Sequence, residues 1–246
     1  MKTEIVVPTS LNEIPLKSYQ EFMKVAENSN DEEFIAQKTI EIFCGLRMKD
    51  IIQVKWTNVK ELTLHLNEIF KTKPKFTPTF KIDKMEFGFI PNLEDMTFGE
   101  YIDLESNITN VQTFHKAMAV MYRPITRRIK DKYEIFEYRG SDEFSDIMKF
   151  APLDVVMGAT VFFWNLGNDL VQHTLTCLET EIKTNKKLMT SAKERNLIKS
   201  GDGTIQSMQS LKETLQNLMT LPSWDLENVL PTLLTKDKNE KSKIEN

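Results

Sequence analysis

The stretch PLDVVMGATVFFWNLGNDLVQHTLTCL, Pro152 to Leu178, is the most apolar run in the chain and constrains its fold more than any other. Pro152 suits the first turn of a helix, and from Val155 to Leu166 nearly every face of that helix is apolar, so other elements must wrap it. A bilayer span needs about 20 mostly apolar residues, and here Asn165, Gly167, Asn168 and Asp169 break the run. The expectation is a mainly α chain. A multi-helix domain surrounds a buried central helix at about 152–180, with a small β-hairpin at about 79–90 and C-terminal helices that project from the core.

Composition narrows the class. A chain of 246 residues can bury a sizeable core, and 40% hydrophobic with 28% charged residues is ordinary for a globular protein. Its net charge of −4 argues against the broad basic face of a non-specific nucleic-acid binder, so nucleic acid is not expected as a primary partner. Cys44 and Cys177 are the only cysteines, and each lies in an apolar helical pattern, which reads as small core residues in a reducing compartment. The N-terminal MKTEIVVPTSLNEIPL has no long apolar core after its lysine, so no secretory signal or membrane association is expected.

Residues 1–15, with Pro8 and Pro15, read as an extended arm of the kind that docks on a neighbour. A helical subdomain is expected over 16–75. Its first helix carries Leu16, Tyr19, Phe22, Met23 and Ala26. A second runs from Asp31 to Gly45, a short turn covers Met48 to Ile52, and a third main helix is capped by Thr57 or Asn58. Residues 76–182 should hold a hairpin and the helical core. Phe80, Ile82, Met85, Phe87 and Phe89 alternate about an Asp83-Lys84 turn, and Thr97 with Glu100 makes a capping box for a helix whose apolar positions are Phe98, Tyr101, Ile102 and Leu104. Asn110 opens the next helix, which Pro124 ends, and YEIFEY (Tyr133 to Tyr138) suits one more strand before a short helix from Asp142 to Phe150.

Beyond Glu181 the composition turns to Lys, Thr, Asn and Ser, so residues 183–235 should form a helical extension and 236–246 a charged tail with little reason to fold. Ile205, Met208, Leu211, Leu215 and Leu218 give one stripe, and Trp224, Leu226 and Leu230 belong to a last apolar segment. These eight residues are the candidate partner-docking surface, and a homo-oligomer or a docked partner would cover them.

No spacing of Cys and His suits zinc, and no GxxxxGK[ST] or GxGxxG follows an expected strand, so neither metal nor cofactor is expected. His65, His115 and His173 fall on separate helices and read as surface or packing residues. No GxSxG elbow is present, and a non-enzymatic protein is expected. Glu94, Asp95, Glu100, Asp103 and Glu105 invite an acid-base reading, but as N-terminal charge and a solvated helix face they need no chemistry. Asn165 and Asn168 read as backbone clamps inside the central helix. Arg123, Arg127, Arg128 and Lys130 form the candidate basic patch, which could meet phosphates or an acidic partner or stand as a solvated, salt-bridged surface.

Four segments, IPLKSYQEF (Ile14 to Phe22), EFGFIPNLEDMTFGEYIDLE (Glu86 to Glu105), FHKAMAVMYRPI (Phe114 to Ile125) and PLDVVMGATVFFWNLGNDL (Pro152 to Leu170), together resemble an uncharacterised protein family of tailed bacteriophages of Bacteroidetes hosts, including crAss-like gut phages. The resemblance covers about residues 14–180. It brings no catalytic residues with it, and TFGEYIDL is also similar, more loosely, to phage tail-assembly chaperones. It implies a virion protein associated with the tail or portal region, or packaged as cargo ejected with the genome. Its partners would then be other virion or tail proteins, and its location the virion and, during assembly, the host cytoplasm. The alternatives it leaves are a transient tail-assembly chaperone absent from the mature particle and a packaged enzyme.

Overall fold

The computed structural model of the chain describes residues 6–163, 165 and 166. The chain divides between Ala159 and Thr160 into two compact units, and residues 6–159 lie in the first. The described residues are mostly helical, with one small antiparallel sheet. The expected helices beyond residue 181, and residues 167–180 of the apolar run, lie outside the described residues.

Residues 6–15 are extended apart from a 3-10 turn at Leu11–Glu13, and part of this arm packs on its own fold. Leu11 and Ile14 are buried, Leu153 N donates to Ile14 O at 2.9 Å, and Pro15 bridges Pro152. Helix α1 (Leu16–Asn28) has no side-chain cap, because Pro15 precedes it. Its first free amides find other acceptors: Leu16 N donates to Ala151 O at 2.9 Å and Lys17 N to Lys149 O at 2.7 Å. Segments far apart in sequence are thus stitched together through their backbones.

Helix α2 (Glu32–Cys44) begins and ends as its sequence dictates. The Asp31 carboxylate accepts from Glu33 N and Phe34 N, and Gly45 takes φ +66°, a left-handed stop that glycine adopts without strain. After the short α3 (Met48–Ile51), α4 (Trp56–Phe70) starts at Lys55, not at Thr57 or Asn58. The backbone already turns helical at Trp56, whose ring lies 5.7 Å from Lys60 Nζ, so both expected caps fall inside the first turn. Val59, Thr63, Leu66, Ile69 and Phe70 are buried, while Leu64 is exposed. Rings join the three long helices, with centroids 5.4 Å apart for Phe22 and Phe43, 5.3 Å for Phe43 and Phe70, and 6.2 Å for Tyr19 and Phe70.

The hairpin forms where the alternation placed it, as β1 (Thr79–Ile82) and β2 (Met85–Phe89), with Asp83 at φ +50° in its turn. It is extended by β3 (Tyr122–Ile129) and β4 (Lys132–Ile135) into a four-stranded sheet of order β1-β2-β3-β4. Between them run α5 (Phe98–Ile108), a 3-10 turn at Val111–Thr113 and α6 (Phe114–Met121); α7 (Asp142–Met148) follows β4. Direct partners in the register share a face, so Phe80, Ile82, Phe87, Phe89 and Tyr122 lie together on one side. Phe80 and Phe87 stack at 5.7 Å, Tyr122 packs edge-on at 5.1 Å from Phe80 and 5.2 Å from Phe89, and Phe144 of α7 lies 6.5 Å from Phe87.

A last helix starts at residue 153 and is described to 166 apart from residue 164. Over 153–159 it is core: Leu153, Val155, Val156, Met157 and Ala159 are buried. Gly158 lets the 72–77 connector pass, since a Cβ there would sit 2.4 Å from Lys75 O. The expectation of burial up to Leu166 fails, because Val161, Asn165 and Leu166 are exposed and Phe162 and Phe163 half-buried. Asn165 therefore clamps nothing in a core. The described apolar run is buried only along the two turns that the arm and the connector border.

Candidate functional site

Helix α5 is inside out. Its cap is the expected capping box, with Glu100 N donating to Thr97 Oγ1 and the Glu100 carboxylate accepting from Thr97 N at 2.6 Å and Thr97 Oγ1 at 2.8 Å. Three of the four expected apolar positions face outward, and only Leu104 is buried as expected. Phe98 is 79% exposed, Tyr101 52% and Ile102 42%, while Glu100 and Leu104 are the buried residues. Periodicity finds a stripe but not the direction it points, and here a stronger local demand decides: Glu100 has a cation waiting inside.

That cation is Arg123, the second residue of β3. Arg123 Nη2 donates to Glu100 Oε1 at 2.5 Å, with side chains only 8% and 4% exposed. The guanidinium also lies 5.5 Å from the Tyr138 ring centroid. One turn along α5, the Asp103 carboxylate accepts from the Tyr138 hydroxyl and, at 3.2 Å, from Ser141 N. The Tyr138 bond, helped by Ser141, holds the Asp103 carboxyl below its usual range, and burial with Asp103 nearby pushes the Tyr138 phenol up. Three polar contacts thus latch α5 to β3 and to the segment before α7. Arg123 Nε is buried with no hydrogen-bond partner, a cost that the ion pair and the ring must offset.

The candidate basic patch is accordingly split. Arg123 is buried and paired, so it leaves the patch, whereas Arg127, Arg128 and Lys130 are exposed at the far end of β3. The basic run after Pro124 is part of strand β3. Pro124 is tolerated inside it because it lies where the ladder passes from β2, paired through Phe87, to β4, paired from Ile125, beside a bulge at Ile125/Arg127. Arg128 Nη2 donates to Glu86 Oε1 at 2.9 Å and its guanidinium lies 5.9 Å from the Tyr133 ring. Tyr133 in turn lies over Gly88, where a Cβ would meet its ring at 2.5 Å.

The remaining expectations place simply. Cys44 is a buried free thiol pushed up to about 11 by burial, which makes it a core residue with little thiolate. His65 Nε2 lies 3.0 Å from Pro8 O and holds the arm, and His115 Nδ1 lies 3.1 Å from Gln20 Nε2. Among the described residues no group of three His, Cys, Asp or Glu side chains could hold a metal ion, and no helix is long and apolar enough to cross a membrane. Cys177, His173, Asn168 and the docking stripe from Ile205 to Leu230 lie outside the described residues. Comparison with models of protein families, with curated proteins and with solved structures finds no match.

Proposed function

We propose that the chain is a non-enzymatic interaction protein of a tailed-phage particle, associated with the tail or portal region or packaged as cargo. The interaction role is carried by one observation, the outward apolar face of α5. A large aromatic left 79% exposed on a well-capped helix is costly for an isolated chain and ordinary for a contact surface. The buried latch behind it supports the same reading, since it fixes the helix with its apolar side out. The particle setting comes from the resemblance of the four segments between Ile14 and Leu170.

Mass spectrometry of purified particles from a phage encoding the chain tests this. The expected result is the chain at a fixed ratio to the tail or portal subunits. Presence in the infected-cell lysate but absence from particles would replace it with the transient tail-assembly chaperone.

A further inference from the structure

The α5 face has a particular chemistry. Its outer stripe runs Phe98, Tyr101, Ile102 and on to Glu105, the positions i, i+3, i+4 and i+7, and Glu94 and Asp95 stand exposed just before its cap. None of these three acids is ion-paired with a described residue. It is an apolar patch with an acidic rim.

The tip of the β3–β4 hairpin is its complement. Ile129 is 51% exposed between Arg127 and Lys130, with Lys132 directly across the ladder. None of Arg127, Lys130 and Lys132 is ion-paired with a described residue; Arg128 alone is spent on Glu86, and Asp131 is the single acid in the turn. Lys130, at φ +54°, lies exposed in that turn. One chain cannot join these two surfaces. Arg123 is tied to α5, and Ile129 lies six residues further along β3, roughly 20 Å away at strand spacing.

We propose that a second copy of this chain covers the α5 face, and that it does so with its basic hairpin tip, Ile129 seated against Phe98, Tyr101 and Ile102. The contact is head-to-tail, so a pair of copies keeps one free face and one free tip, and assembly proceeds to a ring or a filament. A hairpin tip on three turns of helix is smaller than the roughly 800 Å² per partner of a stable pair, so single contacts are weak and closure into a ring strengthens them. This names the partner within the reading above and rests on it only in taking the α5 face for a protein contact.

Sedimentation of the full chain tests the pairing, with circular dichroism confirming that each variant folds. The parent should self-associate between about 10 and about 500 µM and dissociate as salt rises. Glu94→Lys/Glu105→Lys and Arg127→Glu/Lys130→Glu should each weaken association by about tenfold or more, since each sets like charges opposite one another. Mixing the two variants one to one should restore it, because each then supplies the sign the other needs. A parent that stays monomeric, a single-surface variant that associates like the parent, or a mixture that fails to recover would each overturn the proposal. Particle composition separates the two claims: assembly in solution by a chain absent from particles leaves this inference standing, and a monomeric chain found in particles removes it alone.

Discussion

Replacing Glu100 by alanine should be among the most damaging single changes in the described fold. The substitution removes the partner of a guanidinium that is 8% exposed and whose Nε already lacks an acceptor, and it deletes the carboxylate half of the capping box. Breaking a buried pair by removing one member costs about 3–5 kcal/mol, about a fifth or more of the roughly 5–15 kcal/mol that holds a typical domain together. Arg123→Met should cost less, at the lower end of that range, because Glu100 keeps both Thr97 donors. The double variant Glu100→Ala/Arg123→Met should recover part of the loss, since no uncompensated charge is then buried. Urea unfolding with an unchanged slope gives each stability, and the cycle should return a coupling of about 2 kcal/mol or more. A coupling below about 0.5 kcal/mol would refute the reasoning, for it would mean that water reaches the pair and that Glu100–Arg123 does not hold α5 in place.

Other outcomes follow from the same contacts. Gly158→Ala should lose about 1–3 kcal/mol, because its Cβ meets the Lys75 carbonyl at 2.4 Å and the connector must move; a melting temperature equal to the parent's would contradict that close approach. Leu153→Ala, at a fully buried position, should cost about 2–5 kcal/mol by thermal melting, and Phe162→Ala, half-buried, distinctly less. His115 sits below its ordinary value of 6.5, chiefly through burial and then through Lys149 and Lys116, against the opposing pull of Asp146 and Asp142. A group depressed on folding contributes stability that is present above 6.5 and lost as pH falls through its lower folded value, so the parent should weaken as pH drops below about 6.5 and His115→Gln should weaken less steeply over that window.

Local signals were legible because local chemistry decides them. Asp31 and Gly45 bound α2, Thr97 and Glu100 cap α5, and the alternation from Phe80 to Phe89 makes the hairpin, each through groups within a few residues of one another. What failed depends on distant partners. Arg123 reads as one cation in a basic run until the fold brings Glu100, 23 residues away, against it. Pro124 reads as the end of a helix, and α6 does stop at Met121, but that the chain continues through it as a strand depends on where two neighbouring ladders meet. The stripe of α5 was visible in sequence, but its direction was set by that same ion pair and not by hydrophobicity. The run from Val155 to Trp164 is nearly all apolar, so little in it marks where burial ceases at about residue 160.

The central claim is that the apolar side of α5 faces outward and is covered by another chain. Hydroxyl-radical footprinting of Phe98 and Tyr101 over a range of protein concentrations measures this directly. Both rings should react readily in dilute protein and become protected as the protein associates, while Phe114, fully buried, stays unreactive throughout. Protection of Phe98 at the lowest concentration, or reactivity that never falls as concentration rises, would contradict the account.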